Sequence, residues 1–540
     1  MPNFDPSTIA GVVQRWAEDK PDFIVLTVEG AGVREDETRT YAQLWENGSG
    51  LAAGLRRLGL RPGDMVGTLL ANHPEFVELM VAAALLGIAI VPIDPRTKGD
   101  RLIYMLAAAG CKAVVAGDYS LPALLAVRDE VKCLQWLIGL PTDEGKATTA
   151  QLQADGVRPY GWVAGSDYRI VDFPGTDPDA ALELIYTSGT TGDPKGIVMT
   201  HRRYVETSRL TPRLFGFQPD DRLYSGLSLT HANAQVITLG TALVNALPCV
   251  MSRRFSKSRL WDITRKYGCT SFTLLGGMTT AIYAEPPQPN DADNPVRFII
   301  SAGMPESLWS DFEKRFGVRL LEFYGAAEGG LTINPPGVGP VGSIGKPPPH
   351  LRHRIVDEDG NDVVPDAAGE RVGEILFQGA DGAPLAVTYH GDPASSAKKC
   401  AGGWLHMGDV VREDRDGWLY FLFRKGSGIR RNGEFINASA IEKVIAEQPE
   451  VDDVYVYGIP AKSGVPGEKD VVAAIVPKDP DLGRFNVAAL LAQCRARLDA
   501  NSVPGLIQLL HQIPKTASEK PQDRFLIEAL ATNPQLVHSR

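Results

Sequence analysis

Between residues 40 and 330, helical patterns of ten to fifteen residues alternate with short β-branched runs. That alternation restricts the chain to layered α/β structure with largely parallel sheets. "YAQLWENGSGLAAGLRRLGL" reads as a helix, followed after the turn "RPGD" by the strand "MVGTLL". "PEFVELMVAAALLG" with "IAIVPI", and "RLIYMLAAAG" with "KAVVAG", repeat the unit. Three further apolar strands, "LELIYTSG", "RFIISAG" and "RLLEFYG", each run into a glycine-containing loop. Ligands of open α/β sheets gather at the carboxyl ends of strands, so these three loops are the first places to look for a site.

Past "NPPGVGPVGSIGKPPPH" (334–350) the pattern changes to a smaller, turn-rich β region containing "RHRIVDEDG", "GEILFQG" and "WLYFLFR", with "DRDG" (414–417) as a hairpin turn. Beyond Arg424 the chain changes again. "SAIEKVIAEQ" carries a capping-box pattern, Ser439 followed by Glu442, and precedes the strands "DDVYVYGI" and "KDVVAAIVP" and the helix "NVAALLAQCRARLDA". The expected organisation is a large N-terminal domain over 1–423, made of layered α/β subdomains plus a small β region, a hinge at 424–428, and a small C-terminal α+β domain over 429–540.

Composition narrows the function. The 540 residues carry 55 basic and 65 acidic side chains, a formal net charge of −10, which disfavours nucleic acid as the main partner. The six cysteines are scattered, with no C-x-x-C pair, so neither a disulfide framework nor a zinc site is expected. The N-terminus lacks signal-peptide character, and the richest apolar run, Leu79 to Ile93, is interrupted by Gly87 and Pro92. No membrane association is expected, the protein reads as cytoplasmic, and a homodimer is left open.

The most informative stretch is "YTSGTTGDPKGIVMTHR" (186–202). It offers hydroxyls at Thr187, Ser188, Thr190 and Thr191, glycines at Gly189, Gly192 and Gly196, and a cation at Lys195. Turned-in backbone N–H groups, hydroxyls and a lysine make an anion cradle for a polyphosphate. The spacing is not that of a Walker loop, and taken alone the segment also fits a surface turn.

Six further motifs occur in order: "SLTHANAQ" around His231, "SAGMP" (301–305), "YGAAE" (324–328), "WLHMGDV" through Asp409, "RKGSGIRRNGEFIN" from Arg424, and "PKTASEK" ending at Lys520. Together with the loop, they make the chain resemble the adenylate-forming acyl-CoA synthetases, a superfamily that includes peptide-synthetase adenylation domains and luciferases. The segments "LTHANAQ", "RRFSKSRLWDITRKYG" and "KGDRLIYMLAAAGCKAVV" most resemble the carnitine/crotonobetaine-CoA ligase branch.

The resemblance implies a carboxylate-CoA ligase. The acid attacks the α-phosphate of ATP, giving acyl-adenylate and pyrophosphate, and the coenzyme A thiol then displaces AMP, with Mg²⁺ assisting. It implies nucleotide contacts at Thr187, Ser188, Gly189, Thr190, Thr191, Gly192 and Lys195, at Ser301 and Gly303, at Glu322, Phe323, Tyr324 and Gly325, and at Asp409 and Arg424. Glu328 and Thr191 would hold the metal, Tyr324 would pack on adenine, and Asp409 would accept from the ribose hydroxyls. Lys520, on a mobile C-terminal domain pivoting at Gly426, would serve the first half-reaction together with Glu328 and His231. His231, Gly276, Gly277 and Met278 would form the acyl pocket. Arg430, Arg431, Gly433 and Glu434 would face coenzyme A.

Several positions depart from the family pattern: Ala327 stands for the usual threonine, Phe423 for an aspartate, Gly426 and Ser427 at the hinge, and Glu519 for the glycine before the lysine. These departures keep two other readings open, an enzyme that loads a carrier protein and a non-catalytic nucleotide-binding relative. The small residues at Gly276 and Gly277 and the adaptable Met278 suit medium-chain, branched or aromatic acids alike.

Overall fold

A computed structural model of the chain describes residues 4–31, 34–165, 176–187, 194–425, 428–431, 434–436, 438–462, 469–516 and 521–539. The side chains of Thr187, Arg430, Glu434, Phe435 and Ser439 are outside this description. Two compact units are present, the first formed by Met1–Ser256, Lys266–Thr273 and Ala386–Cys400, the second by Lys257–Arg265, Leu274–Leu385 and Ala401–Arg540.

In the first unit the strands run β1 (Ile24–Glu29), β2 (Glu37–Thr40), β3 (Met65–Leu69), β4 (Ala89–Pro92), β5 (Cys111–Gly117), β6 (Trp136–Leu140), β7 (Arg158–Pro159), β8 (Ala181–Thr187), β9 (Lys195–Thr200), β10 (Leu223–Ser225) and β11 (Cys249–Ser252), with the start of β12 (Ser271–Leu275). One sheet has the order β7-β6-β5-β3-β4-β8-β9. Its strands are parallel except for β8 and β9, which pair antiparallel on either side of the glycine-rich loop. β3, β4 and β5 are nearly continuous apolar runs because helices cover both faces, and Leu69, Val91, Leu106, Val114 and Leu184 are fully buried among them. In the same unit β12, β10, β11 and β1 pair in parallel, with β2 antiparallel at the edge.

The apolar run Leu79–Ile93 divides where its glycine requires. The helix Pro74–Leu86 begins with proline in its first turn and stops at Gly87, whose φ of 72° is left-handed. The chain then enters β4. No helix among the described residues is long and apolar enough to cross a membrane.

In the second unit β13 (Phe298–Ala302) and β14 (Arg319–Ala326) are parallel, and β15 (Gly329–Asn334) returns antiparallel to β14. β16 (Leu351–Val356), β17 (Arg371–Gly379), β18 (Leu405–Glu413) and β19 (Leu419–Arg424) form an antiparallel meander. The expected "DRDG" turn closes β18 onto β19, with Gly417 at φ 79° and the Asp414 carboxylate accepting from Asp416 and Trp418 N–H. A two-residue pairing, β20 (Arg430–Arg431) with β21 (Glu434–Phe435), follows. The remaining strands β22 (Val451–Pro460), β23 (Lys469–Pro477), β24 (Leu506–Leu509) and β25 (Val537–Ser539) make a mixed sheet with its own core of Ile441, Ile445, Val471, Ile475 and Ile507.

The capping box expected at Ser439 and Glu442 is not the local arrangement. The helix spans Ala438–Ala446, so Ser439 lies inside it, and the Glu442 carboxylate accepts the Val456 N–H of β22 at 2.9 Å. Joining the helix to the sheet satisfies a strand donor in the interior, where an unmade bond is costly.

Candidate active site

β14 (Arg319–Ala326) runs into "YGAAE", whose last two residues follow the strand, and its position beside β13 gathers two groups of expected residues. Glu322, on β14, is 2% exposed, and its carboxylate accepts the N–H of Gly303 at 2.5 Å and of Met304 at 3.1 Å. It thereby holds the "SAGMP" loop at the carboxyl end of β13. Burial pushes its carboxyl up to about 7, against the pull of those N–H groups. Gly303 takes a φ of 95°, and a Cβ at Gly276 would lie 2.8 Å from the Gly303 carbonyl oxygen. Only glycine fits that approach. Ser301 and Met278 are buried beside these elements, and Phe323 points into the interior.

Two residues farther along β14, the Tyr324 hydroxyl donates to Asp409 Oδ2 at 2.6 Å. Asp409 is on β18, directly opposite Arg424 on β19, and Arg424 Nε lies 3.7 Å from Asp409 Oδ1. Burial, and then the Asp409 charge, drive the Tyr324 hydroxyl far above its ordinary range, with Glu328 adding in the same direction and Arg424 opposing. Tyr324, Asp409, Arg424 and Glu328, from "YGAAE", "GDV" and "RKGSG", thus form one neighbourhood. Phe421, 46% exposed on β19, stands with its ring 6.3 Å from that of Tyr324.

One residue here escaped the sequence reading. The Glu374 carboxylate, 7% exposed on β17, accepts the Gly408 N–H at 3.1 Å and the Lys425 ammonium at 2.6 Å. It fastens the residue before Asp409 to the residue after Arg424. A lone glutamate inside the apolar run "GEILFQG" was the available signal.

In the first unit, Lys195 opens β9 opposite Thr187 of β8. Its ammonium contacts the Ser395 hydroxyl, lies 3.5 Å from Asp392 and stands over the Tyr389 ring at 5.4 Å. His231 accepts the Asn233 N–H on ring Nδ1 at 3.1 Å, and its backbone N–H donates to the Ser228 carbonyl oxygen at 3.0 Å. The neutral ring therefore carries its proton on Nε2. A π-helix, Asn233–Gly240, follows, an element often found at functional sites.

Arg431 donates Nη1 to the carbonyl oxygens of Asn501 and Val503, at 3.1 and 3.0 Å, which ties β20 to that turn. Ser188, Gly189, Thr190, Thr191, Gly192, Gly426, Gly433 and Lys520 lie outside the described residues, as do the side chains of Thr187, Arg430 and Glu434.

Removing the Tyr324 hydroxyl tests the Tyr324–Asp409 contact. Tyr324→Phe is expected to raise KM for ATP about tenfold with little change in kcat, since a hydrogen bond to a charged group contributes ~1.5–3 kcal/mol. Steady-state AMP release at varied ATP measures it.

The AMP-binding enzyme family matches residues 13–385, and the AMP-binding enzyme C-terminal domain matches residues 440–520. The medium/long-chain-fatty-acid–CoA ligase FadD17 of Mycobacterium tuberculosis is 31% identical over 465 residues, which cover 83% of this chain and 86% of the relative. The crotonobetaine/carnitine–CoA ligase of Salmonella heidelberg is 29% identical over 524 residues, 93% of this chain and 95% of the relative. Among solved structures, the anthranilate CoA ligase AuaEII in complex with anthranoyl-AMP superposes with a TM-score of 0.82 at 21% identity, covering 99% of both chains. The chain belongs to the AMP-binding enzyme family. Its reaction is ATP-dependent acyl-CoA ligation through an acyl-adenylate, releasing pyrophosphate and then AMP.

Proposed function

We propose that this ligase activates medium- to long-chain aliphatic carboxylic acids and works in the cytoplasm. The neighbourhood of Tyr324, Asp409 and Arg424 carries the nucleotide part of the reading, because it sets a half-exposed aromatic pair beside a carboxylate already held by a phenol and a guanidinium. Adenine packs on Tyr324 with Phe421 across from it, and Asp409 accepts from the ribose hydroxyls. Arg424 balances the Asp409 charge. The Glu322 and Glu374 carboxylates position the 303–304 loop and the Gly408–Asp409 backbone. The fatty-acid class is favoured by the 31% identity to FadD17.

Asp409 and Glu328 both bear on the Tyr324 hydroxyl, so carboxylate oxygens suited to a hard cation are present. Among the described residues no group of three or more His, Cys, Asp or Glu is arranged to hold a metal. Glu328, with Thr191, would hold Mg²⁺ together with phosphate oxygens of ATP. The ion would supply neutralisation of charge on the departing pyrophosphate.

In the first half-reaction Thr187 to Lys195 cradle the β- and γ-phosphates and Lys520 stabilises charge developing at the α-phosphate. The C-terminal domain, residues 429–540, then turns about 424–428, withdraws Lys520, and brings Gly433 and Glu434 to the thioester step, with Arg430 and Arg431 toward the coenzyme A phosphates. His231, Gly276, Gly277 and Met278 line the acyl pocket.

The test is AMP and pyrophosphate release with aliphatic acids of graded length, a betaine and an aromatic acid, each with and without coenzyme A. Thioester formation confined to the longer aliphatic acids is the expected result. A preference for the betaine or the aromatic acid overturns the substrate class, and pyrophosphate release independent of coenzyme A would favour carrier loading.

A further inference from the structure

Asn72 occupies the turn between β3 and the helix Pro74–Leu86 and is 1% exposed. Its amide nitrogen donates to the carbonyl oxygens of Leu227 at 2.8 Å and Ser252 at 2.7 Å, and its amide oxygen accepts the Leu229 N–H at 2.8 Å. Two carbonyls on one side and an N–H on the other leave a single orientation for the amide. No residue with only donors or only acceptors could replace it.

The placement of those partners is what matters. Leu227 lies two residues past β10, Ser252 closes β11, and Asn72 itself lies past β3, a strand of the other sheet. One buried side chain therefore joins the carboxyl ends of three parallel strands belonging to two sheets, the edge at which α/β folds bind ligands. The sheets' own ladders do not need this contact. The loop does, because its backbone groups at 227 and 229 leave the ladder.

From Leu229 the order passes along the loop by short steps. Leu227 N–H donates to Ser225 Oγ at 3.2 Å, and Thr230 N–H to Ser228 Oγ at 3.2 Å, with the Ser228 and Thr230 hydroxyls 2.9 Å apart. The Ser228 carbonyl oxygen then receives the His231 N–H, and His231 Nδ1 receives the Asn233 N–H at the start of the π-helix. The position of the imidazole is set by this chain of contacts, which begins at Asn72.

The geometry points to Asn72 as a positioning residue for acyl-substrate selection: through the 227–231 loop it fixes where the His231 ring stands, and so governs affinity and chain-length preference for the carboxylic acid. The inference rests on the reading of His231 as part of the acyl pocket. Asn72 touches neither substrate and is not a catalytic residue.

The experiment uses the full-length enzyme and its Asn72→Ala, Asn72→Asp, Ser228→Ala and His231→Ala variants, with AMP release measured against fatty acids of graded length and against ATP. Asn72→Asp keeps the size but sets a carboxylate against two carbonyl oxygens. Either Asn72 variant is expected to raise KM for the acid at least about fivefold and to change the ranking of chain lengths, with KM for ATP within about twofold. Ser228→Ala, which leaves Asn72 and all three of its bonds in place, is expected to move the acid KM the same way by less; it decides the matter if the Asn72 variants do not fold. An unchanged acid KM and chain-length ranking in the folded variants overturns the inference, as does a loss that falls equally on acid and ATP. His231→Ala separates the two claims. If it shifts the acid KM while the Asn72 and Ser228 variants do not, the pocket reading stands and the positioning role fails. If it leaves the acid KM unmoved, the pocket reading itself fails, and with it the route through His231.

Discussion

Lys520→Ala is expected to slow acyl-adenylate formation by about two to three orders of magnitude while leaving the conversion of supplied acyl-adenylate to thioester within about tenfold of the parent enzyme. The reaction involves no protein nucleophile, so the barrier to the first step is mainly the gathering of negative charge as a carboxylate meets the α-phosphate. A fixed cation or donor at such a place contributes ~2.7–4 kcal/mol, the magnitude behind the predicted rate loss. On the proposed rotation of the C-terminal domain the lysine is withdrawn before the second step, which should then not feel its removal. Glu519 sets an anion next to Lys520 in sequence, which makes the measurement more than a formality. Single-turnover pyrophosphate release for the first step, and thioester formation from synthetic acyl-adenylate for the second, separate the two. Adenylation within tenfold of the parent would remove Lys520 from its assigned role.

The parts of this protein that were legible in its sequence are those set by local chemistry. Glycines and prolines punctuate the strands and helices: Gly87 ends a buried helix, Gly417 turns a hairpin, and the three glycine-ending strands β8, β13 and β14 stand where their patterns put them. The neighbourhood of Tyr324, Asp409 and Arg424 was legible because each sits in a recognisable motif. What remained hidden depends on partners far away in the chain. Glu322 reads as a nucleotide contact in "EFYG", yet its carboxylate turns to backbone N–H groups 18 and 19 residues earlier. Ser439 and Glu442 have cap spacing, but a buried strand donor on β22 claims the glutamate. Glu374 and Asn72 look like ordinary polar residues at the margins of apolar runs. Their roles exist only once β17 meets β18, or β3 meets β10 and β11. Nor does any periodicity announce the π-helix after His231.

Buried carboxyls of the same hidden kind dictate how stability should depend on pH. The stability of this protein is expected to fall as pH rises from about 5 to about 8, and Glu183→Gln is expected to remove part of that fall, including what remains of it above about pH 7. Glu183 sits in the middle of β8, between Ile90 of β4 and Met199 of β9, and is 0% exposed. Neither of its oxygens has a hydrogen-bond partner. Burial raises its carboxyl to about 8. Below the ordinary glutamate value near 4.5 both folded and unfolded chains hold the proton, and the contribution is fully present. Between that value and about 8 the unfolded chain has released its proton while the folded chain keeps it. Stability therefore declines by at most about 1.4 kcal/mol per pH unit and levels off above 8. Glu75, Glu322 and Glu442, each raised to about 7 by burial, add slope of the same sign. Glutamine keeps the size of Glu183 and cannot ionise, so the variant should match the parent near pH 5 and exceed it at pH 8 by a few kcal/mol, retaining the slope that the other three groups contribute below about pH 7. Denaturant unfolding of both proteins at pH 5, 6.5 and 8 measures this directly. Parallel profiles across that range would mean that Glu183 is already ionised in the fold, held by a compensating partner.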